Sequence, residues 1–308
     1  AGVDWQLDVR AYDDGVAFKL LCDKNKALFN GESTVLKFDP SLTAKYMRHS
    51  MGEESRVYTL PIIEIAPQKF NRTLPPLLLY PEEQSHYIMV LEGGGFDFHG
   101  YSLLAQEGAA FKIDYAEKPK GWEIEGGIET AWKIICTVDS LNELVNTDIV
   151  PNVCPAPDSI LFPNGMNESW IKPGKSTWNW WAKLSCKYEQ QLELVDLAAK
   201  MGADYHLVDI GWDQKWRTET KSVYDVLKEL CDYAAEKGIS IWVWKTSDVS
   251  LNLELSKDSS KNKFGPLREV HVSLDVDEMR AEVKRIADAG AKGIKLDYIQ
   301  SENSKWKT

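Results

Sequence analysis

The strongest constraint on this chain is a change of hydrophobic period partway along it. Before about residue 150 the apolar residues form short runs or alternate, and beyond about residue 168 they recur at helical spacing between short apolar runs. In the first stretch, runs at 16–20, 34–38, 58–65, 77–80, 86–92 and 132–138 are separated by turn formers such as Asp13-Asp14-Gly15, Asn30-Gly31, Pro75-Pro76 and Gly93-Gly94-Gly95. Short strands with that punctuation predict an all-β sandwich over 1–150, with a helical turn around 140–146.

Residues 151–168 are rich in Pro, Asn and Asp without any period, which predicts a linker. From 169 to 308, strands are expected at the Trp-rich run Trp178-Asn179-Trp180-Trp181, at 205–210, at 239–244 and at Gly293-Ile294-Lys295-Leu296-Asp297. Helices are expected at 188–201, 222–237 and 277–289, each stopped by a glycine (Gly202, Gly238, Gly290). Strand–helix alternation of this kind predicts parallel βαβ units. A doubly wound sheet would place a glycine-rich phosphate turn after its first strand, whereas here Trp-Asn-Trp-Trp follows. The better expectation is a TIM-type (β/α) barrel, and since such a barrel closes with eight strands, the four read here make it truncated after about the fourth.

Several function classes are disfavoured by composition. The net charge of -11 argues against nucleic acid and anionic membrane surfaces as partners. No apolar run approaches the roughly 18 residues that span a bilayer, so no membrane role is expected. The five cysteines show no CxxC spacing and the five histidines no metal-ligand spacing, which reads as mostly free thiols and as core or surface imidazoles. The 12 tryptophans suit a carbohydrate ligand and a large core equally. The chain opens on Asp4-Trp5-Gln6, already strand-like, so no signal peptide is visible; a processed leader and a fragment both fit.

Chemistry is expected at the C-terminal ends of the second set of strands, the face where barrels keep it. Alternation puts Gly293, Lys295 and Asp297 on one face of their strand, with cation and carboxylate about 6–7 Å apart along it. The ammonium favours the ionised carboxylate, leaving Asp297 a base or nucleophile near neutral pH; the rival reading is a buried structural ion pair. Trp178, Trp180, Asp209, Trp212, Lys245 and Asp248 are the other groups expected at strand ends. Asp209 reads either as a second functional acid or as a cap for the segment after it. Two carboxylates, lysines and indole platforms suit an uncharged polar ring such as a sugar.

Leu7-Asp8-Val9-Arg10-Ala11-Tyr12-Asp13-Asp14-Gly15, Trp170-Ile171-Lys172-Pro173-Gly174, Trp178-Asn179-Trp180-Trp181, Val208-Asp209-Ile210-Gly211-Trp212 and Gly293-Ile294-Lys295-Leu296-Asp297-Tyr298 together resemble glycoside hydrolase family 97. The resemblance implies a β-super-sandwich followed by a catalytic barrel, acting on the terminal α-linked sugar of an oligosaccharide substrate, in the periplasm or secreted. It implies a retaining, α-galactosidase-like branch in which Asp297 is the nucleophile and Lys295 and Asp209 hold sugar hydroxyls. Related α-galactosidases carry two adjacent Asp at the Asp209 position, and here Ile210 follows instead. A calcium ion (Ca2+) is implied too, with Glu92 as its ligand from the β domain. The family's general acid/base, a Glu on the next barrel strand, has no counterpart, because Glu302 follows Asp297 too closely. The segment by itself is therefore expected to be a poor catalyst. An inverting α-glucosidase-type member and a non-catalytic carbohydrate-binding protein are the alternatives.

Overall fold

The computed structural model describes residues 4–23, 26–49, 56–96, 98–115, 120–246 and 275–297. The chain divides into two compact units, one running through Pro163 and one beginning at Asn164.

The first unit is built from β1 (Gln6–Tyr12), β2 (Gly15–Cys22), β3 (Lys26–Phe29), β4 (Val35–Lys37), β5 (Thr43–Arg48) and β6 (Val57–Pro61). It continues with β7 (Arg72–Tyr80), β8 (Tyr87–Gly93), β9 (Ser102–Gln106), β10 (Ala110–Asp114), β11 (Trp122–Glu125), β12 (Ile128–Glu129) and β13 (Trp132–Val138). Eleven of these join one antiparallel, sandwich-like sheet whose main path is β1-β2-β13-β8-β7-β9-β10-β4, while β3 and β11 pair with each other.

Alternation along the central strands feeds two cores. In β8, Tyr87, Met89 and Leu91 join Trp132, Ile134 and Cys136 on one face, and Ile88 and Val90 join Leu77, Leu79 and Phe111 on the other. The helices α1 (Leu141–Val145) and α2 (Ile149–Val153) close the first face with Leu144, Ile149 and Val153. In α1, Ser140 caps the helix by accepting from the Glu143 N–H at 3.2 Å.

Some local expectations change. The run at 58–65 is not one strand: Pro61 has no N–H to continue a ladder, so β6 ends there and a single 3-10 turn over Ile62–Glu64 follows. The expected linker start at Pro151 falls inside α2, where a proline in the first turn costs no hydrogen bond. Strands β3, β5, β9, β10, β11 and β12 lie outside the expected runs.

The second unit contains β14 (Ser176–Trp178), α3 (Tyr188–Lys200), β15 (Tyr205–Val208), α4 (Trp212–Lys215), α5 (Val223–Ala235), β16 (Ser240–Thr246), α6 (Val276–Asp288) and β17 (Gly293–Asp297). The four strands form a parallel sheet in chain order, β14-β15-β16-β17. Helix α5 starts with a capping box between Ser222 and Asp225, and α6 starts at Asp275, whose carboxylate accepts from the N–H groups of Asp277 and Glu278. One face of the sheet, carrying Val208, Ile241, Val243 and Ile294, packs against Val195, Leu227, Leu230 and Ile286 of the helices. Among the described residues no helix is long and apolar enough to cross a membrane.

Candidate active site

The other face of the parallel sheet carries the polar groups, and its register decides which of them meet. Trp178 of β14 lies beside Leu207 of β15, and Trp244 and Thr246 of β16 lie beside Lys295 and Asp297 of β17. Parallel pairing in chain order therefore gathers the strand ends and the residue just past β15, Asp209, at one edge. Gly293 makes room for this: a Cβ there would stand 2.3 Å from ring atoms of Trp242, so only glycine lets that indole lie across the neighbouring strand.

Lys295 stands at the centre. Its Nζ is 3.0 Å from Oδ2 of Asp209 and 3.1 Å from Oδ2 of Asp297, and it lies 4.3 Å from the centroid of the Trp178 ring. Burial works to lower its pKa, and the hydrogen bonds to Asp209 and Asp297 outweigh that, so the ammonium is held above the ordinary lysine value.

Asp209 is almost enclosed, its side chain 4% exposed. Its Oδ2 also accepts from Trp178 Nε1 at 2.7 Å, its Oδ1 accepts from the Ile210 N–H at 2.8 Å, and its own N–H donates to Asn179 Oδ1 at 2.8 Å. The capping role does not hold, because the residue preceding α4 is Gly211 and no side chain caps that helix. Gly211 sits at φ +109°, and a Cβ there would meet Cys186 Sγ at 2.7 Å, so the turn that leads from Asp209 into α4 requires glycine.

Asp297, at the C-terminal end of β17, is the most open of the three charged groups, its side chain 37% exposed. Its Oδ2 accepts from Trp244 Nε1 at 2.8 Å as well as from Lys295. The expected Asp209, Lys295, Asp297 and Trp178 thus come together in one connected network.

Two tryptophans depart from expectation in different ways. Trp212 is fully buried and donates its indole N–H to the Trp244 carbonyl at 2.8 Å, so it is a core residue with no ring face open to a ligand. The apolar helix-side packing of α4 claims it, a demand that strand-end position alone does not reveal. Trp180 lies beyond β14, exposed, and with Trp181, Lys183, Leu184 and Ser185 lines an open groove of about 630 Å³. Trp181 stacks on Trp178, with ring centroids 5.8 Å apart and planes 25° from parallel.

Lys245 lies within β16, one residue out of phase with Trp244 and Thr246, and is buried. Asp248 and Glu302 lie outside the described residues. Residues missed from sequence are Asn179, which orients the Asp209 backbone, and Trp244. The spacing of Trp242 and Trp244 was legible, but their register against β17 was not.

Glu92 belongs to the first unit, where its Oε2 accepts from the Tyr101 N–H at 3.3 Å. Calcium takes six or more oxygen ligands. Among the described residues no group of three or more His, Cys, Asp or Glu side chains could hold a metal ion, so they do not by themselves fit a calcium site. All five cysteines are free thiols.

Comparison with known proteins identifies the family. The family description Glycosyl-hydrolase 97 N-terminal matches residues 1–155, and Glycoside hydrolase 97 matches residues 167–307. A probable retaining alpha-galactosidase of Streptomyces bingchenggensis is 23% identical over 98% of this chain and 43% of its own length. A retaining alpha-galactosidase of Bacteroides thetaiotaomicron is 25% identical over 78% of this chain and 42% of its own length. The chain thus spans less than half the length of these curated relatives. Among solved structures, a beta-arabinopyranosidase superposes with a TM-score of 0.74 at 21% identity over 99% of this chain and 49% of that one. A family 97 enzyme from Pseudoalteromonas sp. strain K8, in complex with acarbose, gives 0.64 at 18% identity over 95% of this chain and 51% of its own. With matches in order along both units, the chain belongs to glycoside hydrolase family 97.

Proposed function

We propose that the protein carrying this chain is a retaining α-glycosidase, α-galactosidase-like, in which residues 169–308 supply the first half of a (β/α)8 barrel. The observation that carries the proposal is the position of Lys295, with its Nζ within 3.1 Å of both Asp209 and Asp297 where the second and fourth parallel strands end. Barrel enzymes keep their chemistry at that end. In this reading Asp297, the more exposed acid, attacks the anomeric carbon while the bond to the leaving oxygen breaks, and water later hydrolyses the glycosyl ester with net retention. Asp209, which is enclosed and already fixed by Trp178 and Asn179, acts with Lys295 in holding sugar hydroxyls. The exposed Trp180 offers an apolar ring face to the substrate, and the half-buried Trp178, under Lys295 and stacked on Trp181, backs the site. The alpha-galactosidase names of both curated relatives support the choice of sugar.

The test uses the full-length gene product and an aryl α-galactoside. The first-formed sugar, followed by proton NMR, retains its anomeric configuration. Asp297→Gly abolishes turnover, and azide restores it as a glycosyl azide of inverted configuration. Undiminished activity in Asp297→Gly would end the proposal, and an inverted first product would reassign the protein to an inverting mechanism.

A further inference from the structure

We infer that Trp244 is a positioning residue for Asp297, setting the orientation of its carboxylate and keeping it ionised. The inference rests on Asp297 being the nucleophile and deepens that reading.

Trp244 occupies the middle of β16, beside Lys295 of β17 in the parallel register, and is 1% exposed. Its indole Nε1–H donates to Asp297 Oδ2 at 2.8 Å, the same oxygen that Lys295 approaches at 3.1 Å. Its carbonyl accepts from Nε1 of Trp212, which is also fully buried. One packed indole therefore anchors the backbone of a second, and the second anchors the acid. A tryptophan ring enclosed on all sides turns about only two bonds, so its donor stays where the strand puts it. A lysine on a flexible stem gives charge without that fixity.

The chemistry of the donor matters as well. An indole N–H only donates and takes up no proton in this range, so it favours the charged carboxylate at every working pH. Among the described residues, the charged groups facing Asp297 are Lys295 on its own strand and, through Lys295, Asp209 from the end of β15. On β16, Thr246 lies in register with Asp297, while Lys245 alternates to the sheet's other face. Asp209 has the matching arrangement, with Trp178 Nε1 at 2.7 Å, so each acid bridged by Lys295 carries its own indole donor. At 1% exposure the Trp244 ring is closed to any substrate.

The test is made on the full-length enzyme with an aryl α-galactoside. Trp244→Phe lowers kcat/KM roughly 10- to 100-fold, the range for losing one hydrogen bond to a charged group. The loss falls on kcat with KM little changed, and the acidic limb of the kcat/KM profile, which reports the free enzyme's nucleophile, moves to higher pH. Trp242→Phe, on the same face but without a bond to Asp297, leaves that limb in place. If Trp244→Phe fails to fold, benzothienylalanine at position 244 keeps the ring shape and removes only the N–H, and the same shift is expected. An unmoved acidic limb in a folded variant, with Asp297→Gly inactive and rescued by azide, overturns the positioning role alone. An active Asp297→Gly overturns the reading beneath it.

Discussion

Lys295 Nζ lies 3.0 Å from Asp209 Oδ2 across a sequence separation of 86 residues, and this one contact ties the second strand of the parallel sheet to the fourth. Because the Asp209 side chain is 4% exposed, the lysine is the cation that makes its burial tolerable. Lys295→Met should lower the free energy of unfolding by about 1–3 kcal/mol, the cost of leaving a buried polar partner unmet. Adding Asp209→Asn should recover part of it, a coupling that urea denaturation of the four-member cycle measures. Additive losses would show that the pair does not interact.

A second buried ion pair gives a sharper version of the same argument. In the first unit Lys133 Nζ meets Glu32 Oε2 at 2.7 Å, with the side chains 0% and 3% exposed. Burial pulls the Lys133 pKa below the ordinary lysine value even though Glu32 opposes it. Lys133→Met alone should cost about 3–5 kcal/mol, whereas Lys133→Met with Glu32→Leu should be far milder. Equal destabilisation by both would refute the account.

His206 supplies a pH dependence. It is fully buried, bonded through Nδ1 to Thr177 Oγ1 at 2.9 Å and through Nε2 to Gln191 Oε1 at 3.0 Å. Gln191 Nε2 donates to the carbonyls of Ser185 and Lys187, which turns its oxygen towards the imidazole. Burial pushes the imidazole pKa down from 6.5 to about 4, against a weaker opposing hydrogen bond to the Thr177 backbone. The unfolded chain therefore takes up a proton as pH falls through 6.5 and the folded one only near 4. The histidine's contribution, on the order of 3 kcal/mol, is present above pH 6.5 and is lost as pH falls from there to about 4. The stability gap between wild type and His206→Gln should shrink over that window; parallel pH curves would contradict it.

The tryptophans should separate cleanly by stability. Trp212→Ala removes a fully buried ring and should cost about 3–5 kcal/mol. Trp181→Ala, at a residue 79% exposed, should change stability by no more than about 0.5 kcal/mol. Urea midpoints of the two variants decide it, and equal losses would mean that Trp181 is packed after all.

Much of the second unit was legible because its signals are local. Helical spacing and the stop glycines gave α3, α5 and α6 to within two residues at each end, and alternation put Lys295 and Asp297 on one face. In the first unit β2, β4, β6, β7, β8 and β13 coincide with apolar runs punctuated by turn formers, while strands such as β5 and β9 carry no such punctuated run.

What the chain order determined by itself is therefore periodicity: where the backbone runs extended or helical, and which side chains share a face. Tertiary structure alone decided partnership. Whether an indole serves the core, as Trp212 does, or an acid, as Trp178 and Trp244 do, depends on strand order and register between segments 31 to 53 residues apart. A residue's period is a property of its neighbours in sequence, while its hydrogen-bond partner is a property of the sheet.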